Sequence, residues 1–398
     1  MSDLKRNFLR YVAQTSDSPI GLEIDRAEGC WLYCADGRRY LDFIAGIGVS
    51  NLGHGNPAVL SAIERQAKRH LHVMVYGEYV QQAQVKLAAR LASLLPPSLS
   101  RIYFTNSGTE AIEGAMQVAR KYTGRPGFVA FDGCYHGDTT GAMALAGNPE
   151  FRGPFGTLIG PVRHLPYGKT EALDLVDDSI AAVVIEPVQA EGGIRIPSPE
   201  FMQALRRRCD KTGALLVFDE VLTGLGRTGR LFGFEHFGVN PDLTVLAKAL
   251  GGGLPLGAFC GSDELIGTLA HDPPLGHITT FGGHPLSCAA GLAALEFTLQ
   301  EKLCERAQSQ GSKIAALLRE LANERVVDVR GVGLLVGIEF AQAALARSFV
   351  AHTIERGVIV NWTLNAHRLV RLAPPLTIND AEIEFALQAM GEALRELR

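Results

Sequence analysis

Short apolar runs alternate with amphipathic stretches through the middle of the chain. The runs lie at 101–106, 127–133, 181–188, 214–221, 243–247 and 257–261. Helical patterns at 108–123 and 199–212 separate some of them. Nearly continuous apolar strands that alternate with helices are typical of a mostly parallel sheet covered on both faces. The pattern therefore predicts an α/β fold whose ligands bind at the carboxyl ends of the strands.

The two ends of the chain have a different pattern. Short strands in VDVRGVGLLVGIEF and HRLVRLAPPL are flanked by helical stretches at 285–300, 302–322, 343–356 and 380–397. This predicts a separate α+β layer, which the strand–turn–strand WLYCADGRRYLDF is expected to join. We therefore divide the chain into an N-terminal segment that joins the small domain (1–50), a large domain (51–283) and a small C-terminal domain (284–398).

Composition narrows the classes of partner and compartment. The 398 residues are 47% hydrophobic and 20% charged, as in globular proteins. Lys+Arg 38 against Asp+Glu 42, without a basic block, argues against nucleic acid or an anionic membrane as partner. We expect no signal peptide and, without an apolar stretch of about 18 residues, no membrane span. Seven cysteines without a C-x-x-C pair predict free thiols in the cytoplasm, and the histidine spacing predicts no metal site.

A single lysine interrupts the apolar stretch LTVLAKALGGGLPLGA (243–258). An ammonium group buried alone is costly, so its pKa shifts or it finds a partner. One interpretation of Lys248 is a helix-end lysine whose amine reaches water. The other is a lysine that is neutral part of the time and attacks a carbonyl.

The segment TNSGTEA (105–111) lies where a strand ends and a helix begins. Ser107 and Glu110 fit the S-x-x-E capping box. Gly108 would let a ligand approach the backbone, and the free N–H groups of a helix N-terminus bind phosphate. A well-capped helix without a ligand is the alternative.

Two other strand ends carry candidate binding groups. Asp219 closes the strand ALLVFDEV, where a carboxylate would point into the ligand crevice; a helix cap or a loop charge is the alternative. Tyr135 and His136 follow the strand at 127–133, and the aromatic ring could stack on a flat ligand or simply pack in the core. A phosphate site, an aromatic ring, a carboxylate and an isolated lysine are together the parts that hold pyridoxal 5'-phosphate.

Seven motifs then identify a family. SGTEA, YHG, EPVQAEGG, DEVLTGLGRTG, LAKALGGGLPLGA, TTFGGHP and RLAPPL occur in this order. From about residue 20 to the C-terminus, the chain resembles the class III (ω-amino-acid) aminotransferases of the type I pyridoxal-phosphate fold. It looks closest to their acetylornithine, ornithine and 4-aminobutyrate branch. The resemblance implies a large domain with a mostly parallel sheet, a small α+β domain and a ping-pong transfer of a terminal amino group to a keto acid.

The resemblance also implies roles for individual residues. Lys248 would be the Schiff-base lysine and proton carrier, and Asp219 would pair with the pyridine nitrogen. Val221 would pack on the ring face opposite Tyr135. The other residues implied to bind or support the cofactor are Ser107, Gly108, Thr109, His136 and Glu186.

Three further residues are implied to act at the edges of the site. Thr280 would reach the phosphate of the neighbouring subunit's cofactor, which makes the enzyme a homodimer. Glu191 would hold Arg371 aside while an ω-amino substrate is bound, and would release it to the α-carboxylate of an amino acid or keto acid. An ordinary ion pair is the alternative for these two residues.

Departures from the family pattern concern the substrate. Asp138 stands where glutamate-using relatives generally carry an arginine that binds the distal carboxylate, so we favour pyruvate over 2-oxoglutarate as acceptor unless Arg152 or Arg163 reaches the site. Ile47 stands where ornithine aminotransferases carry a substrate-binding tyrosine, which argues against a strict ornithine enzyme.

A third departure concerns the cofactor. Leu222 stands where many relatives have a glutamine bonded to the ring hydroxyl, and Gln189 is a possible replacement. Two other functions stay open: an aminomutase or racemase on the same fold, and a non-enzymatic nucleotide-binding protein suggested by the glycine-rich loops. GVGLLVG (331–337) resembles G-x-G-x-x-G but runs on into a strand, so we predict a tight turn there.

Overall fold

The computed structural model describes residues 2–397 and contains three sheets within that range. The strands are β1 (Ile24–Glu28), β2 (Trp31–Cys34), β3 (Arg39–Asp42), β4 (Arg101–Thr105), β5 (Gly127–Phe131), β6 (Val162–Leu165), β7 (Ile180–Ile185), β8 (Leu215–Asp219), β9 (Leu243–Leu246), β10 (Gly257–Gly261), β11 (Val326–Val332), β12 (Leu335–Phe340), β13 (Val358–Ile359), β14 (Asn361–Trp362) and β15 (Leu369–Leu372).

The helices connect and cover these sheets. They are α1 (Asp3–Tyr11), α2 (Ala45–Gly48), α3 (Pro57–Ala67), α4 (Gln82–Leu94), α5 (Gly108–Thr123), α6 (Thr140–Leu145), α7 (Pro149–Arg152), α8 (Pro199–Thr212), α9 (Asp263–Gly267), α10 (Pro285–Gln300), α11 (Leu303–Leu321), α12 (Ala343–Glu355) and α13 (Asp380–Glu396). Between residues 2 and 397, none of them combines the length and apolar character that crossing a bilayer requires.

The central sheet has seven strands in the order β4-β10-β9-β8-β7-β5-β6. Strands β5 to β9 pair in parallel, whereas β10 runs antiparallel to both of its neighbours. Along β5, Val129 and Phe131 pack in a core shared with α8, while Phe128 and Ala130 pack in a second core shared with α5. Both faces are therefore buried, and the predicted mostly parallel sheet is confirmed.

Capping residues set the ends of the helices that follow the site-forming strands. Ser107 accepts a hydrogen bond from the Glu110 N–H at the start of α5, which ends at Gly124 in the left-handed region (φ 68°). The capping box is only half formed, because the Glu110 carboxylate accepts from the backbone N–H of Asn106, not of Ser107. That detail of the sequence prediction was wrong.

The ends of the chain meet in a separate core. Strands β11, β12, β15 and β14 form an antiparallel sheet, and the tight turn predicted at GVGLLVG is confirmed as the connection between β11 and β12. Strand β13 pairs in parallel with β3. Leu41 and Phe43 of the N-terminal segment share one core with Ile338, Val358 and residues of α10, α11 and α13.

Candidate active site

A cavity of about 620 Å³ opens at the carboxyl ends of β4, β5, β7, β8 and β9. This volume suits a cofactor together with a small substrate. The residues that sequence analysis assigned to the site and that line the cavity are Ser107, Gly108, Thr109, Tyr135, His136, Asp138, Glu186, Glu191, Asp219, Val221 and Lys248. Parallel strands bring these distant segments together because their carboxyl ends share one edge of the sheet.

The start of α5 provides an anion site. Within residues 2–397, the backbone N–H groups of Gly108 and Thr109 have no hydrogen-bond partner. A Cβ at position 108 would lie 2.9 Å from Val221 Cγ2, so only glycine keeps this close approach. Thr109 Oγ1 is 2.6 Å from Thr139 Oγ1, which fixes the hydroxyl at the cavity wall. Free N–H groups at a helix N-terminus are suited to a phosphate.

Asp219 is buried at the end of β8 and is held from two sides. Its Oδ2 is 2.7 Å from His136 Nδ1, and its Oδ1 accepts from the Val221 N–H. Burial opposes a charge on His136, but Cys134 and the hydrogen bond to Asp219 outweigh it and raise the pKa of the imidazole. The carboxylate is therefore oriented at the cavity wall.

Lys248 begins a short 3₁₀ turn (Lys248–Gly251) directly after β9 and its adjoining alanine. Its φ of 47° is left-handed, a strained conformation for a non-glycine residue. Its amine makes no hydrogen bond or ion pair with any residue from 2 to 397. Burial lowers the pKa of Lys248, and the positive charge of Arg371 lowers it further. Lys248 thus lines the cavity with an amine that has no hydrogen-bond or ion-pair partner within residues 2–397.

Glu186 lines the cavity directly after β7. Its carboxylate accepts from the backbone N–H groups of Tyr135 and Ala190. Burial raises its pKa to about 7, an effect that nearby Asp219 reinforces. Because these bonds fix the backbone of Tyr135, Glu186 orients the aromatic wall of the cavity.

Tyr135 and Val221 are the candidate walls for a flat ring. Both are half-buried and line the cavity. The Tyr135 hydroxyl donates to Asp138 Oδ2 over 2.9 Å, and burial together with this bond raises the pKa of the phenol. Asp138 itself is exposed, at the cavity wall.

Glu191 and Arg371 form a buried ion pair beside the cavity. Arg371 Nη1 donates to Glu191 Oε1, and the Leu364 N–H donates to Glu191 Oε2 over 2.8 Å. The arginine side chain is 2% exposed and the carboxylate side chain 10%. Only Glu191 lines the cavity, so the arginine is withheld from it in this arrangement.

Several other candidates lie away from the cavity. Ile47 is exposed with φ 63°, and Thr280 is exposed, so this chain brings neither to its own cavity. Arg152 bonds the His164 ring, and Arg163 bonds Asp177, so neither replaces the missing arginine.

The replacement suggested for the ring-hydroxyl contact is also misplaced. Gln189 is fully buried, donates to the Asp132 carbonyl and does not line the cavity. Leu222 does line it and makes that part of the wall apolar.

Sequence reasoning missed other lining residues, among them Val49, Asn106, Thr139, Thr223 and Leu254. Thr139 carried no motif, since its role depends on the contact with Thr109 from another strand end. The sequence also does not show what holds the loop GLGRTGR (224–230) in place. In the structure, Arg227 of this loop is fully buried and donates to the carbonyls of Leu334 and Pro374.

The residues present fit pyridoxal phosphate. The unpartnered N–H groups of Gly108 and Thr109 lie at the cavity wall, in space that a Cβ at position 108 would fill. The half-buried side chains of Tyr135 and Val221 can flank a ring. A buried carboxylate and an unpaired lysine complete the donor set. In contrast, no group of three or more His, Cys, Asp or Glu side chains in the part of the chain that the structure describes is placed to hold a metal ion.

Known protein sequences match most of the chain. The family model described as Aminotransferase class-III matches residues 11–394. Acetylornithine aminotransferase from Methanopyrus kandleri is 42% identical over 369 residues, which cover 92% of this chain and 93% of that protein.

Solved structures agree. An ornithine aminotransferase from Toxoplasma gondii, with partial occupancy of PLP at its active site, is 28% identical with a TM-score of 0.92, covering 99% of this chain and 94% of that one. An (S)-enantioselective ω-transaminase from Thermomicrobium roseum is 32% identical with a TM-score of 0.92, covering 98% and 97%.

Proposed function

Because the chain belongs to the class III aminotransferases, which depend on pyridoxal phosphate, we propose that it moves the terminal amino group of an ω-amino acid or amine to a keto acid. The candidate donors are N-acetylornithine, 4-aminobutyrate, lysine or a diamine. The acceptor is pyruvate or 2-oxoglutarate, and the exposed carboxylate of Asp138 in the cavity favours pyruvate. The observation that carries the proposal is the unpartnered amine of Lys248 in a cavity shared with buried Asp219.

Each residue has a separate task in this proposal. Bound pyridoxal phosphate supplies a carbonyl that takes up the amino group and a ring that withdraws electrons. Lys248 holds the cofactor and afterwards carries a proton to and from the amine-bearing carbon. Asp219 keeps a proton on the ring nitrogen, while the N–H groups of Gly108 and Thr109 hold the phosphate.

The ion pair of Glu191 and Arg371 would separate the two halves of the reaction. An ω-amino donor brings no α-carboxylate to the reacting end, so the arginine stays with Glu191. A keto acid brings that carboxylate, which can take the arginine in a bidentate contact. One site thereby accepts two differently charged substrates in turn.

We further propose a cytoplasmic homodimer. The exposed position of Thr280 is compatible with a contact to the neighbouring subunit's cofactor. The seven cysteines are unpaired, as in a reducing compartment.

The function is tested with a panel of amines and keto acids. Purified enzyme loaded with pyridoxal phosphate is incubated with each donor and with pyruvate or 2-oxoglutarate, and the aldehyde and the new amino acid are quantified. Equal amounts of both products are expected from at least one pair. Rearrangement or racemisation of a donor without an added keto acid would instead indicate a mutase or racemase.

A further inference from the structure

One exposed carboxylate stands at the wall of the cavity and is held in place. Asp138 lines the cavity, and its Oδ2 accepts a hydrogen bond of 2.9 Å from the Tyr135 hydroxyl. The backbone of Tyr135 is fixed in turn by its bond to buried Glu186. An exposed aspartate usually samples several rotamers, whereas this one is oriented by a residue of the same wall.

The charge of Asp138 is not neutralised by the chain. Across residues 2–397, no lysine, arginine or histidine forms an ion pair with it. Arg152 and Arg163 are occupied by His164 and by Asp177. A carboxylate has about four lone-pair positions, and the tyrosine takes one of them.

The other acidic groups of the cavity are already satisfied. Asp219 is bonded to His136, Glu191 to Arg371, and Glu186 to two backbone N–H groups. All three are buried, whereas Asp138 is open to a ligand. Within residues 2–397, the accessible face of the cavity therefore offers one oriented negative charge that has no ion-pair partner.

From this arrangement we propose that Asp138 selects amine donors that carry a second cationic group, such as a diamine or a diamino acid. Resting on the function proposed above, the inference narrows its donor class. The reacting amine lies at Lys248, and the distal ammonium donates to Asp138. A distal carboxylate would instead meet a like charge, so ω-amino acids without a second cation are disfavoured.

The test uses three donors with the same four-carbon chain: 1,4-diaminobutane, 1-aminobutane and 4-aminobutyrate. The cofactor-loaded enzyme is assayed with saturating pyruvate, and kcat and KM are determined for each donor. We expect a preference in kcat/KM of about tenfold for the diamine over 1-aminobutane, which corresponds to roughly 1.4 kcal/mol. Most of it should lie in KM and should weaken as salt is raised, because the contact is partly exposed.

Variants separate recognition from structure. D138N should reduce the ratio of kcat/KM for the diamine over 1-aminobutane to within about twofold, which corresponds to roughly 0.4 kcal/mol. D138E keeps the negative charge and should restore part of the preference. The matched control is D132N. Asp132 is exposed, lies on the same loop and does not line the cavity, so this variant should keep the wild-type ratio.

The outcomes distinguish the two proposals. If wild type uses 1-aminobutane or 4-aminobutyrate as well as the diamine, or if D138N keeps the wild-type ratio, the role of Asp138 is wrong while the aminotransferase function stands. If no amine of any class yields both aldehyde and amino acid with either keto acid, the proposed function itself is wrong.

Discussion

Replacing Glu191 by glutamine should weaken the fold and strengthen the binding of a keto acid at the same time. The pair of Glu191 and Arg371 is almost completely shielded, with side chains 10% and 2% exposed. Glutamine keeps one acceptor oxygen, for either Arg371 or the Leu364 N–H, and it removes the negative charge. The variant therefore leaves a buried guanidinium without a counter-ion.

The expected magnitudes follow from that burial. Removing one partner of a buried ion pair costs about 3–5 kcal/mol, and the one hydrogen bond that glutamine can retain places this variant near the lower end. In the proposed gate, a keto acid would restore a carboxylate to Arg371, and in E191Q it would no longer compete with the negative charge of Glu191 for the arginine. If half of a ~3 kcal/mol loss is recovered on binding, the affinity for the keto acid rises about tenfold.

The assay combines unfolding with ligand binding. Denaturant unfolding of the cofactor-loaded protein is measured with and without pyruvate, and pyruvate binding is titrated separately on enzyme loaded with pyridoxamine phosphate. E296Q is the matched control, since the pair of Arg90 and Glu296 is 36% and 37% exposed, and about 0–1 kcal/mol is expected there with no change in pyruvate affinity. A loss below about 1 kcal/mol in E191Q, or a weaker affinity for pyruvate, would refute the reasoning.

Four other predictions address the remaining groups. Borohydride reduction of the cofactor-loaded enzyme followed by peptide mapping should label Lys248, and a label on another lysine contradicts its assignment. D219N should still bind the cofactor but lose at least ~100-fold in kcat, and near-normal turnover would mean that another group holds the ring nitrogen. D138R should shift the ratio of kcat/KM for 2-oxoglutarate over pyruvate by more than about tenfold, and an unchanged ratio would show that position 138 does not face the acceptor. Sedimentation should show a homodimer that the cofactor stabilises, and T280A should weaken cofactor binding; a fully active monomer excludes the role of Thr280.

The central sheet could be predicted because its strands are buried on both faces. Strands β5, β7 and β8 are nearly continuous apolar runs, and capping residues mark where helices such as α5 begin and end. β6 was missed because VRHL carries two polar side chains on an edge strand. The sequence pattern also does not reveal that β10 runs antiparallel to its neighbours, since an apolar run carries no information about the direction of a strand in the sheet. The pairing of β13 with β3 joins residues more than 300 positions apart and depends on tertiary packing.

The site could be predicted as far as it depends on strand ends. Asp219 ends one apolar strand and Lys248 follows another, so they could be placed at one edge of the sheet before the fold was known. The positions of strand ends do not predict side-chain contacts within and between the loops. The bond from Tyr135 to Asp138 and the bond from Arg163 to Asp177 depend on side-chain directions that spacing does not specify.

The environment of Lys248 explains why the chain tolerates an amine among apolar residues. Lys248 is half-buried and lines the cavity, and burial lowers the pKa of its amine, so the fold places this lysine in the site and not on the outer surface. The negative charges of Glu191 and Asp219 act against that shift, while Arg371 reinforces it. Asp219 is bonded to His136 and Glu191 to Arg371, and neither carboxylate forms an ion pair with the ammonium of Lys248 within residues 2–397. The pairing of these acids with other partners therefore leaves desolvation as the largest influence on the lysine, and the neutral amine required for attack on a carbonyl becomes easier to form.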